Sequence, residues 1–279
     1  MISAKVVCDS VFRGDRLTTL EIELHRFVLP EFNTHRSLSR NFQSSRAVPV
    51  EKMIEQVRNN PAMPVHWGKN QSGMVAKEEL DVKSQKWAKA SWLNAARSAA
   101  EYAEYLNSIG THKQIVNRIL EPFMWTKGVV TATEKAWNAF FNLRLHKDAQ
   151  PEIQALAFKI KEALDDSEPV EMEEGDWHLP YAEGLKCSYE EAVKVSASCC
   201  AQVSYRKLEN SLDKAIKIYD MLNLPNNGVY PDDPPHFSPT EHQVTFDIEA
   251  GKSLNGNFHS YGFIQYRKAL EQGVEKELF

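Results

Sequence analysis

The chain has 279 residues, of which 42% are hydrophobic and 25% charged; this is enough apolar material for a large core and argues against extended disorder. A formal net charge of −5 excludes a generic electrostatic grip on a nucleic-acid backbone, so no polymeric nucleic acid is expected as a partner. No apolar run approaches the ~20 residues that cross a bilayer, and residues 1–8 lack the basic-then-apolar pattern of an export or transit signal, which makes a cytoplasmic location the expectation.

In chain order, residues 17–28 alternate apolar and polar side chains as a half-buried strand does, until Pro30 breaks the pattern. Residues 50–58 read as a helix, followed by a loop through Asn60-Pro61 and residues 67–73. Trp87, Ser91, Ala95, Ala99, Tyr102 and Leu106 recur at helical spacing and give the expected packing face of a long helix, with Gly110 as its C-terminal cap. A second helix is expected over 113–123 and a third over 131–144, where Trp137, Phe140, Phe141 and Arg144 share one side. Asp148 is the expected cap of the next helix, with Pro151 in its first turn and Ile153, Leu156 and Ile160 facing inward. Acidic residues 165–175 suggest a surface linker. Helices then follow at 190–203 and 212–222, a loop at 226–235, a strand at 243–248 and a terminal helix. Helices dominate a few strands, so the expected class is α+β.

Cys8, Cys187, Cys199 and Cys200 show no CxxC spacing, and reduced, buried thiols are expected. His236 and His242 bracket Glu241, but the spacing is not that of a His-Glu-x-x-His helix and Pro239 breaks the segment, so no metal is expected. The densest polar cluster runs from Thr34 to Arg46, with three arginines, one histidine and four serines. Guanidinium forks suit phosphate and carbonyl oxygens; composition alone leaves both a phosphate site and a solvated loop open.

The register of that cluster narrows the choice. His35-Arg36-x-x-Ser39-x-Asn41-x-x-Ser44-x-Arg46 resembles the signature of flavin-dependent thymidylate synthases, Arg-His-Arg-x-x-Ser-x-Asn-Glu-x-Ser-x-Arg, with Thr34 in place of the first arginine and Phe42 in place of the glutamate. Asn117-Arg118-Ile-Leu-Glu121-Pro122 and the run from Trp137 through Arg144 to Ile153 resemble that family's Ala-Arg-x-x-Leu-Pro and Phe-x-x-Leu-Arg-x-x-x-x-Ala-Gln-x-Glu-Ile blocks. A third likeness spans Ala197–Tyr205 and His236–Phe246. It resembles an Ala-Ala-Arg-Val-Ser and Gly-His-x-Thr/Ser-x-x-Glu-His-x-x-Phe block that the family carries upstream of its arginine signature, whereas here it lies downstream.

The resemblance implies a helix-rich fold of the flavin-dependent thymidylate synthase type, with a small, mostly antiparallel sheet and a permuted chain order. It implies one domain over 1–279, with the signature and nucleotide-binding part in 1–165 and a permuted flavin- and folate-binding part in 176–279. The implied activity is FAD-dependent transfer of a one-carbon unit from methylenetetrahydrofolate to C5 of dUMP, giving dTMP, with NADPH as reductant. Arg144 would polarise the uracil and Ser44 would orient it; Gln43, Arg46 and Arg118 would contact the nucleotide, and His236 would lie near folate. His35, Arg36, Asn138, Ser238 and Glu241 would hold FAD, while Gln265 and Arg267 could replace what Glu31 and Thr34 lack. Family members are homotetramers with shared active sites, so the same assembly is expected. The departures at Thr34 and Phe42 leave two rivals: a hydroxymethylase or methylase of dUMP or dCMP serving modified DNA bases, and a non-catalytic flavin- or nucleotide-binding regulator.

Overall fold

The computed structural model describes residues 1–203, 211–223, 238–249 and 251–279. Strands β1 (Ser3–Phe12) and β2 (Asp15–His25) form an antiparallel hairpin. Its two-residue turn, Arg13-Gly14, has positive φ at both positions, the backbone that lets two right-twisted strands fold back on each other. Strand β4 (Trp125–Thr133) pairs antiparallel with β2 on one side and with β3 (Ser39–Phe42) on the other. Strand β5 (Val170–Glu171) adds in parallel to β1, which gives the order β3-β4-β2-β1-β5. A second, three-stranded antiparallel sheet joins β6 (Trp177–His178), β7 (Val244–Phe246) and β8 (Phe263–Gln265).

Seven longer helices complete the described chain: α1 (Val50–Asn59), α2 (Val82–Ser108), α3 (Glu134–Arg144), α4 (Pro151–Asp165), α5 (Tyr189–Gln202), α6 (Leu212–Asn223) and α7 (Tyr266–Gln272). The main core lies between the five-stranded sheet and the α3–α4 pair, where Leu20, Ile22, Val130, Trp137, Phe140, Ile153 and Ile160 are all within 1% of full burial. A satellite core packs Met53, Ile54 and Val57 of α1 against Ala96, Ala100 and Ala103 of α2. The α+β class, the helical majority and the small, mostly antiparallel sheets agree with the sequence reading.

Two contacts bind the downstream segment to the first sheet. Phe12 stacks on Phe246 with ring centroids 5.0 Å apart, within a cluster that includes Leu17 and Phe263. A buried polar chain runs beside it: His178 Nδ1 meets Ser10 Oγ at 2.8 Å, His178 Nε2 meets Thr19 Oγ1 at 2.8 Å, Thr19 meets Thr131 at 2.6 Å, and Thr131 meets His242 Nδ1 at 2.9 Å. Burial pushes both imidazoles down to about 3, so both are neutral at physiological pH.

Several sequence expectations need correction. The packing face of α2 is Ala96, Ala100 and Ala103, whereas Trp87 is 68% and Tyr102 67% exposed. Small residues let α1 and α2 approach closely, and that contact outranks the larger side chains of the apparent stripe. The helix expected from 131 begins at Glu134, because residues 125–133 are the central strand β4. Thr133 caps α3 by accepting a hydrogen bond from the Ala136 N–H. Gln150, not Asp148, occupies the N-cap of α4, without a side-chain cap bond. Within the acidic stretch 165–175, Val170 and Glu171 form the edge strand β5. All four cysteines are free thiols, and Cys199 and Cys200 are buried, but Cys8 and Cys187 are only partly so. Gly110, with φ +83°, sits just past the end of α2 as expected of a helix stop.

Candidate functional site

Strand β3 and the segment leading into it carry the polar signature, and its side chains meet three groups from elsewhere in the chain. The first group centres on Arg144, delivered by the last turn of α3. Its Nε donates to His35 Nε2 at 2.8 Å, one amino group pairs with Glu31, and the other reaches Thr34 Oγ1 at 3.4 Å. The His35 ring also packs edge-on against Phe140, with centroids 4.8 Å apart. Burial, reinforced by the Arg144 and Arg40 charges, pushes His35 down to about 4. The ring is therefore neutral, and acceptance at Nε2 puts its proton on Nδ1. Arg144 borders a cleft of about 980 Å³ whose wall includes Phe27, Glu31, Trp92 and Gln150. That wall is held rigidly: Trp92 Nε1 donates to Ala62 O at 2.9 Å, His25 Nε2 meets Met63 O at 2.7 Å, and Val65 N donates to Glu152 at 2.9 Å.

The second group joins the signature to the downstream segment. Asn33, Arg36, Arg40, Phe42, Glu241 and Asn257 line a cavity of about 490 Å³. Arg40 is braced by the Asn33 side chain at 2.9 Å and the Leu38 carbonyl at 2.7 Å. Glu241, at the end of the 3₁₀ turn Ser238–Glu241, pairs with Arg267 of α7. Burial raises the Glu241 carboxyl above its ordinary range, with the Arg267 charge opposing. Gln265 Nε2 donates to Ser39 Oγ at 3.0 Å and to the Glu241 carbonyl at 2.9 Å, and Asn41 Nδ2 donates to the Cys200 carbonyl at 3.0 Å. Glu241 thus shares one cavity with Arg36 and Arg40, Gln265 reaches Ser39, and Arg267 is held by Glu241.

The third group lies where the signature ends. Ser45 Oγ donates to Glu121 at 2.7 Å, Arg118 donates to the same carboxylate at 2.8 Å, and Arg26 stands 3.5 Å from it. Asn117 Nδ2 fixes the loop by donating to the carbonyls of Ser45 and Val48 at 2.6 and 3.0 Å. Gln43 holds its place through its backbone, with its N–H on Lys127 O and its carbonyl accepting from Arg26.

Not every residue named from the sequence joins these groups. Ser44 is half-buried in the loop between the second and third groups, where its carbonyl accepts from the Ala47 N–H, and Arg46 is exposed beside it. Asn138 is exposed on α3 and lines a different cavity, of about 570 Å³, with Asp15, Arg16 and the 259–261 turn. His236 lies outside the described residues. Among the described residues no group of three or more His, Cys, Asp or Glu side chains is arranged to hold a metal, and no helix is long and apolar enough to cross a membrane. Arg40 and Glu121 were not singled out by sequence, although both sit inside the quoted motifs. Their spacing does not reveal them, because Arg40 meets Glu241 of the 238–241 turn, and Glu121 meets Ser45 and Arg26, only in the folded chain.

Residues 15–170 match the pattern of the family Thy1, described as thymidylate synthase complementing protein. This match takes in more than half of the chain, and the chain belongs to that family. Solved structures with a similar fold include a UMP/dUMP methylase, PolB, from Streptomyces cacaoi, bound with 5-Br UMP (TM-score 0.50, 16% identity, 59% of this chain and 88% of that one). The same enzyme bound with 5-Br dUMP aligns with a TM-score of 0.49 at 16% identity, over 59% of this chain and 90% of that one. No curated protein matches the chain by sequence.

Proposed function

We propose that the chain is an FAD-dependent enzyme that transfers a one-carbon unit from methylenetetrahydrofolate to C5 of dUMP, giving dTMP, with NADPH as the reductant. The observation that carries this reading is the clamped Arg144, held by Thr34 and His35 of the signature and by Glu31 just before it. Uracil C5 is a poor carbon nucleophile, and negative charge builds on the ring carbonyls as it attacks. Donors fixed beforehand meet that charge without reorganising. Arg144 is such a donor, because three partners hold the guanidinium plane. The similarity in fold to a UMP/dUMP methylase agrees with a pyrimidine nucleotide as substrate.

The cavity between Arg36, Arg40, Phe42 and Glu241 fits a flavin dinucleotide in its chemistry. Two guanidinium groups suit a pyrophosphate, two asparagines offer amide donors and acceptors, and Phe42 supplies an apolar face. When bound, the flavin supplies the reducing equivalents for the step and folate supplies the carbon. Arg36, His35, Ser238 and Glu241 are the residues assigned to hold it, with Arg40 added by the geometry. Ser44 orients the base, and Gln43, Arg46 and Arg118 bind the remainder of the nucleotide. The contact of the 238–241 and 263–267 segments with the signature supports a circular permutation of the family's chain order, since the upstream block of other members returns to the same place from the other end. Membership of the family supports a homotetramer with shared sites.

The test is one preparation measured twice. Purified protein should be yellow and release FAD on denaturation; a colourless protein that FAD does not reconstitute would reject the flavin assignment. Incubation of dUMP with methylenetetrahydrofolate should give a product 14 mass units heavier, about one methylene, only when NADPH is present. A hydroxymethylated product formed without NADPH would favour the hydroxymethylase reading instead.

A further inference from the structure

Helix α2 (Val82–Ser108) packs on α1 through Ala96, Ala100 and Ala103 and turns a second stripe outward. Trp87, Ser91, Ala95, Ser98, Tyr102 and Tyr105 follow one another at three- and four-residue steps, so they share the side opposite that contact. All six are exposed, Tyr105 at 62%. Rings stand at the two ends of the stripe, and small side chains fill the middle, where another helix axis can approach closely. At about 150–250 Å² for a whole aromatic side chain, the three rings offer roughly 400 Å² per copy. Ile109, 60% exposed just past the helix end, and the small residues extend the face toward the ~800 Å² that each partner contributes to a stable complex. A contiguous face of this size, free of charge along its centre, marks a contact surface.

The charges beside the stripe match a second copy of the same helix. Lys83, Lys86 and Lys89 lie in the first third of α2 and Glu101 and Glu104 in the last, with no acid in the first turn and no base in the last. A helix on its own favours the reverse order, acids at its N-terminus and bases at its C-terminus. Lys83 and Glu101, like Lys86 and Glu104, are about five turns apart and therefore on the same flank of the helix. An antiparallel copy related by a two-fold axis near Asn94 brings Lys86 of each chain opposite Glu101 of the other, and Lys83 opposite Glu104. The same rotation sets Trp87 beside the other copy's Tyr102. Glu104 also pairs with Arg58 of its own chain, which leaves Lys86 and Glu101 as the cleaner cross-copy pair. We propose that the outer face of α2 is a two-fold interface with a second copy of this chain, in which the two α2 helices run antiparallel. Isologous contacts of this kind need a self-complementary surface, and the exchange of basic and acidic ends supplies one. The pairing gives the expected homotetramer one of its contacts. It does not rest on the reaction assigned above, because among the described residues of α2 Trp92 alone lines the Arg144 cleft.

Sedimentation velocity of the full-length protein over a dilution series tests this. Wild type should associate in pairs or multiples of pairs. Trp87→Ala should weaken the association by at least about thirty-fold, the effect of losing a central aromatic anchor. Lys86→Glu or Glu101→Lys alone sets like charges opposite each other twice per interface and should weaken it by about ten-fold. The double variant Lys86→Glu/Glu101→Lys restores both pairs with their signs exchanged and should return to near the wild-type dissociation constant, a rescue that a folding defect does not produce. Asn94→Cys, at the axis, should give a covalent dimer under mild oxidation that wild type, with its four native thiols, does not. A monomeric wild type at every concentration, a double variant no tighter than the single ones, or an Asn94→Cys protein that yields no covalent dimer would each overturn the interface. Flavin content and turnover of the same preparations read the proposed reaction separately.

Discussion

Acidification should destabilise this protein well above the pH at which its carboxylates protonate, and the buried histidine chain sets the size of the effect. His178 and His242 are fully buried and titrate at about 3 in the folded state, against an ordinary value of 6.5. A histidine with a depressed folded value binds more protons when unfolded, so stability is present above 6.5 and is lost as the pH falls from 6.5 toward 3. Between pH 7 and pH 5.5 the linkage relation gives a loss of about 1.2 kcal/mol for each ring, or about 2.5 kcal/mol for the pair. Asp9, held below its ordinary value against burial by Arg16, Ser167 and Thr18, acts only near and below pH 4 and does not blur this window. Burial also lowers His25 and His35, which add to the slope in the same direction. Urea unfolding at pH 7.0 and 5.5 measures the loss directly. Comparison with His178→Gln and His242→Gln isolates the share of the two rings, because each variant should lose about half of the pair's slope whatever its absolute stability. A wild-type stability that is flat between these pH values, or a slope that both variants retain in full, would refute the assignment of neutral, buried imidazoles.

Other changes have equally definite outcomes. Replacing Gly128 with Ala would place a Cβ 2.3 Å from Phe42 Cδ1 and 2.8 Å from the Asn41 carbonyl, so it should cost about 1–3 kcal/mol by overpacking and weaken FAD retention by displacing Phe42; denaturation and flavin-release measurements read the two effects. Glu31→Gln keeps the size of the side chain but removes the charge that clamps Arg144, and it should lower kcat by more than ten-fold (about 1.4 kcal/mol) with a smaller change in KM for dUMP; an unchanged kcat would detach Glu31 from the chemistry. Arg144→Ala should abolish turnover while leaving flavin bound, checked by absorbance and product mass. Ser188 and Glu191 form a reciprocal capping box at the start of α5, and Ser188→Ala should cost about 1 kcal/mol, measurable as a lower urea midpoint with no change in m.

The segments that were legible in the sequence are those whose signal is local. The alternation in residues 17–28 and the inward row Ile153, Leu156 and Ile160 lead directly to β2 and α4, and Gly110 marks the end of α2. Strand β1 was missed because a register shift between Val6 and Cys8 breaks its alternation. Strand β4 is buried at every position except Lys127, and a strand covered on both faces shows no period to read.

The signature between Thr34 and Arg46, with its register against Arg118 and Arg144, was enough by itself to identify the family, because the motif depends on residue type and spacing along one chain. The α+β class and the inward row of α4 were also legible in the sequence. Only the tertiary structure decided that Glu31 faces Arg144, that Gln265 and Arg267 meet Ser39 and Glu241, and that Glu121 gathers Ser45, Arg26 and Arg118. These pairings join residues up to 226 positions apart. Their geometry comes from strand register and helix packing across the whole core, which no local pattern of residues encodes.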